Sequence, residues 1–589
     1  MSQIRIAVGI VVEDGFEGLE ETLRDARLLS ESVFVLGTEP AVNLTELQNV
    51  TYRQSSSCHD EAALRNELIE LAESQNETNW LLLMNAGDRF DQTTLEEFRL
   101  FTANDLERHS LYVMVLHRLY RTDGVRHDLD EETIEPRLIP LRKGLRFQGQ
   151  IRASLLSSAA SLMIRLNAAP GRFLLPSRQQ DSNRQKRKAI RHLQIIEQQR
   201  KQSEQQNKLS EQQGESITDD ALIARAEALS VLGDSIHARR DFLHLIEKTT
   251  RNDLRLAAYY GVWETLTVLP IPENEMTKIL LAGLDHFPVN MQLLTFMGSH
   301  LQQLGKLDLA ARTFETAVRH GQTTLDVWHR LRIREMAVTS LALIHRLRGK
   351  GQEAIRVLES NLELIGDRTE FNRHLLDLYI AELQEAKGHE FAATIWGGTD
   401  LDLIREVITG ACRASAGNWE TAVLPLELAY LNGCRDVLCL RWYSLALLSL
   451  TRFNEAMIVL EEWIRVDSKN KEPQAFLAAA RQPEHFGEIV RQFRDSQIKA
   501  LGISKPEILE RRFIQSQSQS NSNNAKTNGS FRKPNSVIDH AIREMIVSSG
   551  SSNGLRIRTT AFKKQAVPNE LTEKDAEPQN ADSQSVGSR

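Results

Sequence analysis

A chain of 589 residues is longer than one ordinary hydrophobic core supports and points to roughly two to four domains. With 41% hydrophobic and 26% charged residues it has the make-up of folded protein, and a net charge of −7 excludes a chain given over as a whole to nucleic acid or a membrane surface. Four cysteines (Cys58, Cys412, Cys434 and Cys439), with no CxxC pair, exclude a disulfide framework and a structural zinc site.

The first residues, MSQIRIAVGIVVEDG, carry a short apolar run that turns acidic. A secretory leader needs a basic start, a longer apolar stretch and small residues at a cleavage site. No apolar window reaches the length of about 18 residues that a membrane span requires. The expected location is the cytoplasm, with no membrane span and reduced thiols.

Residues 1–176 read as one α/β domain. IRIAVGIVV (4–12), SVFVLGT (32–38) and WLLLMNA (80–86) are predicted strands, with amphipathic helices GLEETLRDARLL (18–29) and DEAALRNELIELAES (60–74) between them. Alternation of this kind implies a mainly parallel sheet covered on both faces. LYVMVLHRLYR (111–121) and SLMIRLN (161–167) extend it. Residues 177–215 form a basic, Gln-rich helical linker; between 178 and 208, nine Lys/Arg face three Asp/Glu. Such a run reads as a solvated connecting helix, with phosphate binding as the sharper alternative.

From 216 to 513 the pattern is almost continuously helical, and it repeats. In MQLLTFMGSHLQQLGKLDLAARTFETAVRHG (291–321), Leu294, Met297, Gly298 and Leu301 share one helix face, Gly305 marks the turn, and Ala310, Phe314 and Ala317 lie on the second helix. Small residues on one helix admit large ones from the other. The register recurs at Leu222/Ala226/Gly233/Ala238/Phe242, at Leu341/Ala342/Gly349/Ala354, at Gly410/Gly417/Ala422 and at Ser444/Thr451/Ala456. Ala422 and Ala456 are 34 residues apart, as are Met276 and Ala310. The arrangement resembles the tetratricopeptide repeat, in roughly six or seven degenerate copies, with residues 370–400 fitting poorly. Stacked repeats form an α-solenoid whose groove usually holds a protein or peptide. From 514 onward, QSQSQSNSNNAKTNGS and the polar end lack the apolar content to fold, except for VIDHAIREMIV (537–547), which could dock as a helix on this chain or on a partner.

The stretch LLLMNAGDRFD (81–91) carries the chemical question. Ligands of an open parallel sheet bind beyond the carboxyl ends of its strands. There Asp88 could hold Mg²⁺ or Mn²⁺, with Gly87 letting the backbone approach a diphosphate; the plainer reading is a turn leaving a core strand. Residues 58–91 resemble the part of family 2 glycosyltransferases in which an "ArN" helix precedes a "WilflDADE" strand: Ala63, Arg65 and Asn66 match the helix, and Trp80 opens the strand. IAVGIVVEDGFEGLEETLRDARLLSESVFVLGTE (6–39) is similar to the first nucleotide-binding unit, EPRLIPLRKGLRFQGQIRASL (135–155) to the acceptor-side segment, and RKAIRHLQIIE (187–197) to the helix that leads into tetratricopeptide repeats in a bacterial subgroup.

This resemblance implies a sheet of the GT-A type and transfer of a sugar from a nucleoside-diphosphate donor. Glu13 and Arg65 would border the donor, and Asp88 with the divalent cation would hold the diphosphate. Several positions depart from the family. Asn85-Ala86-Gly87-Asp88 replaces "DADE", Glu13-Asp14 replaces "NE", Gly37-Thr38 ends the second strand without a carboxylate, and Arg152-Ala153 stands where the family has "HE". Ala153 cannot take a proton from an acceptor. Asp60, Asp91 or a residue of 123–135 could replace it, and nothing in the sequence selects one. Two functions stay open: an altered sugar transferase, and a transferase-like fold without catalysis that serves as a scaffold. Arg65, flanked by Glu61 and Glu67, also has a plain reading as a surface ion pair.

Overall fold

The computed structural model describes residues 5–13, 18–37, 50–55, 60–74, 78–107, 109–119, 130–176, 182–210, 217–266, 272–364, 369–468 and 470–500, together with Ile538 and Ile542. The sheet begins as expected, with β1 (Ile6–Val12), α1 (Leu19–Leu29), β2 (Val33–Gly37), β3 (Val50–Gln54), α2 (Glu61–Glu73) and β4 (Trp80–Asn85). It continues through the short β5 (Arg89–Phe90), α3 (Leu95–Asn104), β6 (Ser110–Arg118), β7 (Glu131–Pro140), α4 (Leu156–Ser161) and β8 (Arg165–Leu175). The strand order is β3-β2-β1-β4-β7-β6-β8-β5.

The expectation of a mainly parallel sheet is corrected. β3, β2, β1 and β4 are parallel, but β7 runs antiparallel to both β4 and β6. The sheet is mixed. β7 was missed because its first half, EETIE, reads as polar surface, yet Glu131 and Thr133 are buried. Period-two alternation sorts the core into two layers. Val8, Ile10, Val12, Leu82 and Met84 face α1 and α3, while Ala7, Val11, Leu81 and Leu83 face α2 and α4.

Past the sheet, α5 (Ser182–Ser210) leads into helices that pack as hairpins. These are α6 (Asp219–Leu232) with α7 (Ser235–Lys248), α8 (Asn252–Thr265) with α9 (Glu273–His286), and α10 (Met291–Gln303) with α11 (Leu307–His320). Next come α12 (Ile333–Leu347) with α13 (Gly351–Glu359), α14 (Thr369–Ala381) with α15 (Glu385–Ala392), and α16 (Gly398–Ser415) with α17 (Trp419–Leu431). The last are α18 (Val437–Ser449) with α19 (Phe453–Val466) and α20 (Glu472–Arg481) with α21 (Phe486–Ala500). This is a tetratricopeptide-like solenoid of eight pairs among the described residues.

Its packing is the one the repeat register predicts. A Cβ on Gly298 would lie 2.8 Å from the Phe314 ring, and one on Gly410 would lie 2.5 Å from Leu426. Ala238, Ala310, Ala354, Ala422 and Ala456 are all fully buried at the helix crossings. The pair α14–α15 occupies the stretch where the register had failed: it buries Phe371, Leu375 and Leu378, but its turn residue Leu383 replaces the usual glycine at φ 56.

Sheet and solenoid are joined directly. Between α11 and α12 the chain forms β9 (His329–Arg330), which pairs antiparallel with the start of β7. Ile134 N–H and Thr133 Oγ1 donate to Leu325 O at 3.0 and 2.8 Å, and Leu331 N–H donates to Asp130 O at 2.8 Å. Arg118 lies over the Trp328 ring at 4.0 Å. Among the described residues no helix is long and apolar enough to cross a membrane. Cys412, Cys434 and Cys439 are buried free thiols.

Candidate functional site

At the carboxyl ends of β1 and β4 the strands deliver Glu13 and the turn Asn85–Asp88. The turn is held by its own chain. Ala86 N–H donates to Val11 O at 2.9 Å, Asp88 N–H to Asn85 O at 2.9 Å, and Asp88 Oδ2 accepts from Asn85 N–H at 2.8 Å. Gly87 has φ 92, and Thr22 Oγ1 accepts from its N–H at 2.9 Å while donating to Asp88 O at 2.9 Å. Gly18 of the neighbouring loop lies so close that a Cβ there would be 2.8 Å from Gly87 Cα. The glycines serve chain-to-chain packing at this corner.

Asp88 is 4% exposed and faces a cation of its own chain. Arg137 of β7 donates from Nη1 to Asp88 Oδ2 at 3.0 Å and to Leu83 O at 3.3 Å, and its Nη2 lies 3.3 Å from Glu135 Oε2. Burial raises the Asp88 carboxyl above its ordinary range, against the opposing pull of Arg137. A divalent cation would need oxygen ligands with open lone pairs. Here Oδ2 accepts from Asn85 N–H, Asn85 Nδ2 and Arg137 Nη1, and the guanidinium already supplies positive charge. No group of three or more His, Cys, Asp or Glu that could hold a metal ion occurs among the described residues. As arranged, Arg137 occupies the place at Asp88 Oδ2 that a divalent cation would take.

The second half of the site comes from α2 and α5. Glu61, at the first position of α2, is 6% exposed. Its Oε1 lies 3.1 Å from both Lys188 Nζ and His192 Nε2, and its Oε2 lies 3.3 Å from Arg65 Nη1 and from Ala153 N. Burial opposes ionisation of Glu61, but Lys188, His192 and Arg65 outweigh it and hold the carboxyl well below its usual 4.5. Glu13 is likewise buried, and Lys188, Arg65 and Arg191 hold it lowered against the opposing effect of burial. Arg191 Nη2 reaches Glu13 Oε2 at 2.9 Å, while Glu13 Oε1 has no hydrogen-bond partner among the described residues. Arg184 donates to Ala86 O. Basic residues 184, 188, 191 and 192 follow helical spacing, so one face of α5 lies against the carboxyl end of the sheet, with Ala189, Ile195 and Ile196 buried beside it.

The sequence-predicted residues are therefore gathered, but into ion pairs. Arg65 makes the predicted pair with Glu61 and lies over Phe147 at 5.5 Å. Burial would lower its pKa, yet Glu61, Glu13 and Glu135 raise it. Asn66 clamps the acceptor-side segment, donating to Phe147 O at 2.9 Å and accepting from Phe147 N–H at 2.7 Å. Asp60 caps α2 through Ala63 N–H at 2.8 Å, and Asp91 caps a turn through Thr93 N–H at 3.1 Å. Arg152, at φ 55, pairs with Glu227 of α6 at 3.0 Å. Asp14, Thr38, Cys58, residues 123–129 and most of 514–589 lie outside the described residues.

No family model matches the chain. No curated protein matches it. Solved structures do. A tetratricopeptide repeat protein from Parabacteroides merdae is similar at 12% identity and a TM-score of 0.31, over 45% of this chain and 99% of that one. The Cut9–Hcn1 hetero-tetramer is similar at 14% identity and a TM-score of 0.22, over 46% of this chain and 58% of its own. Naa15/Naa10 bound to HypK-THB is similar at 11% identity and a TM-score of 0.27, over 63% and 55%. At these scores the description of the solenoid rests on its own helix packing.

Sequence reasoning missed Arg137, Lys188, Arg191 and His192 as members of this cluster, and named Glu61 only as a surface partner of Arg65. The 184/188/191/192 spacing was a legible signal for α5. Arg137 carried none, because the strand that presents it went unrecognised.

Proposed function

We propose that this protein is a protein-interaction scaffold: a tetratricopeptide-like solenoid joined to a glycosyltransferase-like domain of the GT-A type that no longer transfers sugar. The parallel β3-β2-β1-β4 half, with its loops at the carboxyl ends, supports the kinship with family 2 glycosyltransferases. The observation that carries the loss of transfer is the internal neutralisation of the cleft. Asp88 is paired by Arg137, Glu13 by Arg191, and Glu61 by Lys188, His192 and Arg65. A general base needs a pKa near the working pH; Glu13 and Glu61 are held low, and Ala153 replaces the family's carboxylate. The solenoid then supplies the function by holding a protein or peptide, in the cytoplasm.

A second reading is favoured by one feature of the same cluster. Arg65, Arg184, Lys188 and Arg191 stand beside the carboxyl ends of β1 and β4, where the family resemblance would put a donor diphosphate, and guanidinium and ammonium groups can neutralise phosphate without a metal. Calorimetric titration of the purified protein with UDP and GDP, with and without Mn²⁺, separates the readings. The scaffold predicts no saturable heat up to ligand concentrations of about 1 mM. Binding that ignores Mn²⁺ and is lost in Lys188→Ala supports metal-independent transfer. Binding that requires Mn²⁺ and is lost in Asp88→Ala restores the metal-dependent enzyme.

A further inference from the structure

The apolar cluster running through the last four helix pairs contains two residues from outside the solenoid. Ile538 and Ile542 are helical and buried, at 5% and 0% exposure. They belong to the cluster that includes Leu376 of α14, Leu440 and Trp442 of α18, Phe476 of α20 and Phe486 of α21. In sequence they follow Ala500, the end of α21, by almost forty residues that include the Gln/Ser/Asn-rich stretch.

Two residues four apart are neighbours on one face of a helix. The surrounding sequence, SVIDHAIREMIV (536–547), repeats that spacing. Val537/Ile538, Ala541/Ile542 and Met545/Ile546 form an apolar stripe, with Asp539, His540, Arg543 and Glu544 between them. Ser536 and Asp539 have the spacing of a capping box that starts a helix. An amphipathic helix seated by i, i+4 anchors in an apolar surface is a recurrent mode of peptide recognition.

We propose that the C-terminal half of the solenoid carries a binding surface for an amphipathic helix, and that the chain's own segment 537–547 fills it in cis through Ile538 and Ile542. A partner of the same chemistry, a helix with β-branched or leucine anchors at i and i+4, then binds only by displacing the tail. The docking itself stands without the scaffold reading; the competition with a partner rests on that reading.

Tethering makes the tail a competitor at high effective concentration. Short flexible linkers reach the millimolar range, so an external helix binds the free surface about ten- to a hundredfold more tightly than the filled one. The probe is a fluorescein-labelled peptide of residues 534–550, titrated by anisotropy into the full-length chain and into the full-length Ile538→Asp, Ile542→Asp double variant. The expected result is peptide affinity at least about tenfold tighter on the variant, abolished when the peptide carries the same two substitutions. Equal, weak binding to both chains overturns the proposal. Light scattering tests a tail that docks on a second copy: a dimer that dissociates in the variant overturns cis occupancy and makes the occupant a neighbouring chain. Hydrogen exchange on the wild-type chain gives an independent reading. Slow exchange within 537–547 that is lost in the variant supports the proposal, and fast exchange in both overturns it. None of these outcomes depends on nucleotide binding in the cleft, so the two tests fail separately.

Discussion

The pair Asp88–Arg137 sets the residue scale. Both side chains are almost fully buried, and a buried carboxylate that loses its partner costs far more than the pair contributes. Arg137→Leu is therefore expected to lower the stability of the sheet by about 3–5 kcal/mol, read from the shift in urea midpoint. The Asp88→Asn, Arg137→Leu double variant should recover a large part of it; additive losses would show that the two residues are not coupled. Glu61 gives a pH signature. The folded state holds its carboxyl well below 4.5, so its contribution is present above that pH and disappears as pH falls through the folded value. The stability gap between wild type and Glu61→Gln should narrow as pH falls from about 5 through the lowered folded value; a constant gap would place Glu61 outside the ion-pair cluster. At this scale the sequence was informative about which positions matter and silent about what they meet. Arg65 and Asp88 were legible as candidates, and Arg65 meets Glu61 one helical turn away, but Asp88 meets Arg137 of β7, 49 residues distant, and no local pattern encodes that meeting.

At the scale of elements, the repeat register proved the most readable feature, because each hairpin is stabilised mainly by contacts within about 34 residues. Gly298 is on α10 only because Phe314 of α11 covers it; a methyl group there would meet the ring at 2.8 Å. Overpacking of this kind costs typically 1–3 kcal/mol, so Gly298→Ala should lower the solenoid's unfolding midpoint although alanine is the better helix former. A neutral or stabilising result would mean that the ring has room to move. The pair α14–α15 escaped the register for a local reason: it turns on Leu383 instead of a glycine. α5 was expected to be a solvated linker from its charge, yet it docks, since long basic side chains reach buried carboxylates while Ile195 and Ile196 supply apolar contact.

For the whole molecule, the joint between sheet and solenoid decides whether the two behave as one unit. β9 extends β7, so the repeat array enters the hydrogen-bond ladder of the sheet. Leu331→Pro removes the N–H that donates to Asp130 O and should split thermal unfolding into two transitions, read by calorimetry, with the sheet melting first. A single unshifted transition would mean that α5 and α6 alone couple the halves. The sequence by itself determined the local periodicities: strands β1, β2 and β4 with their helices, the repeating helix pairs, and the apolar stripe at 537–547. Neighbours along the chain impose those patterns. Tertiary structure alone decided that the sheet is mixed, that Arg137 stands against Asp88, that α5 sets Lys188 and Arg191 against Glu61 and Glu13, that β9 joins sheet to solenoid, and that Ile538 and Ile542 are buried. Each of these joins residues distant in sequence, where burial and charge pairing select the partner and no spacing announces it.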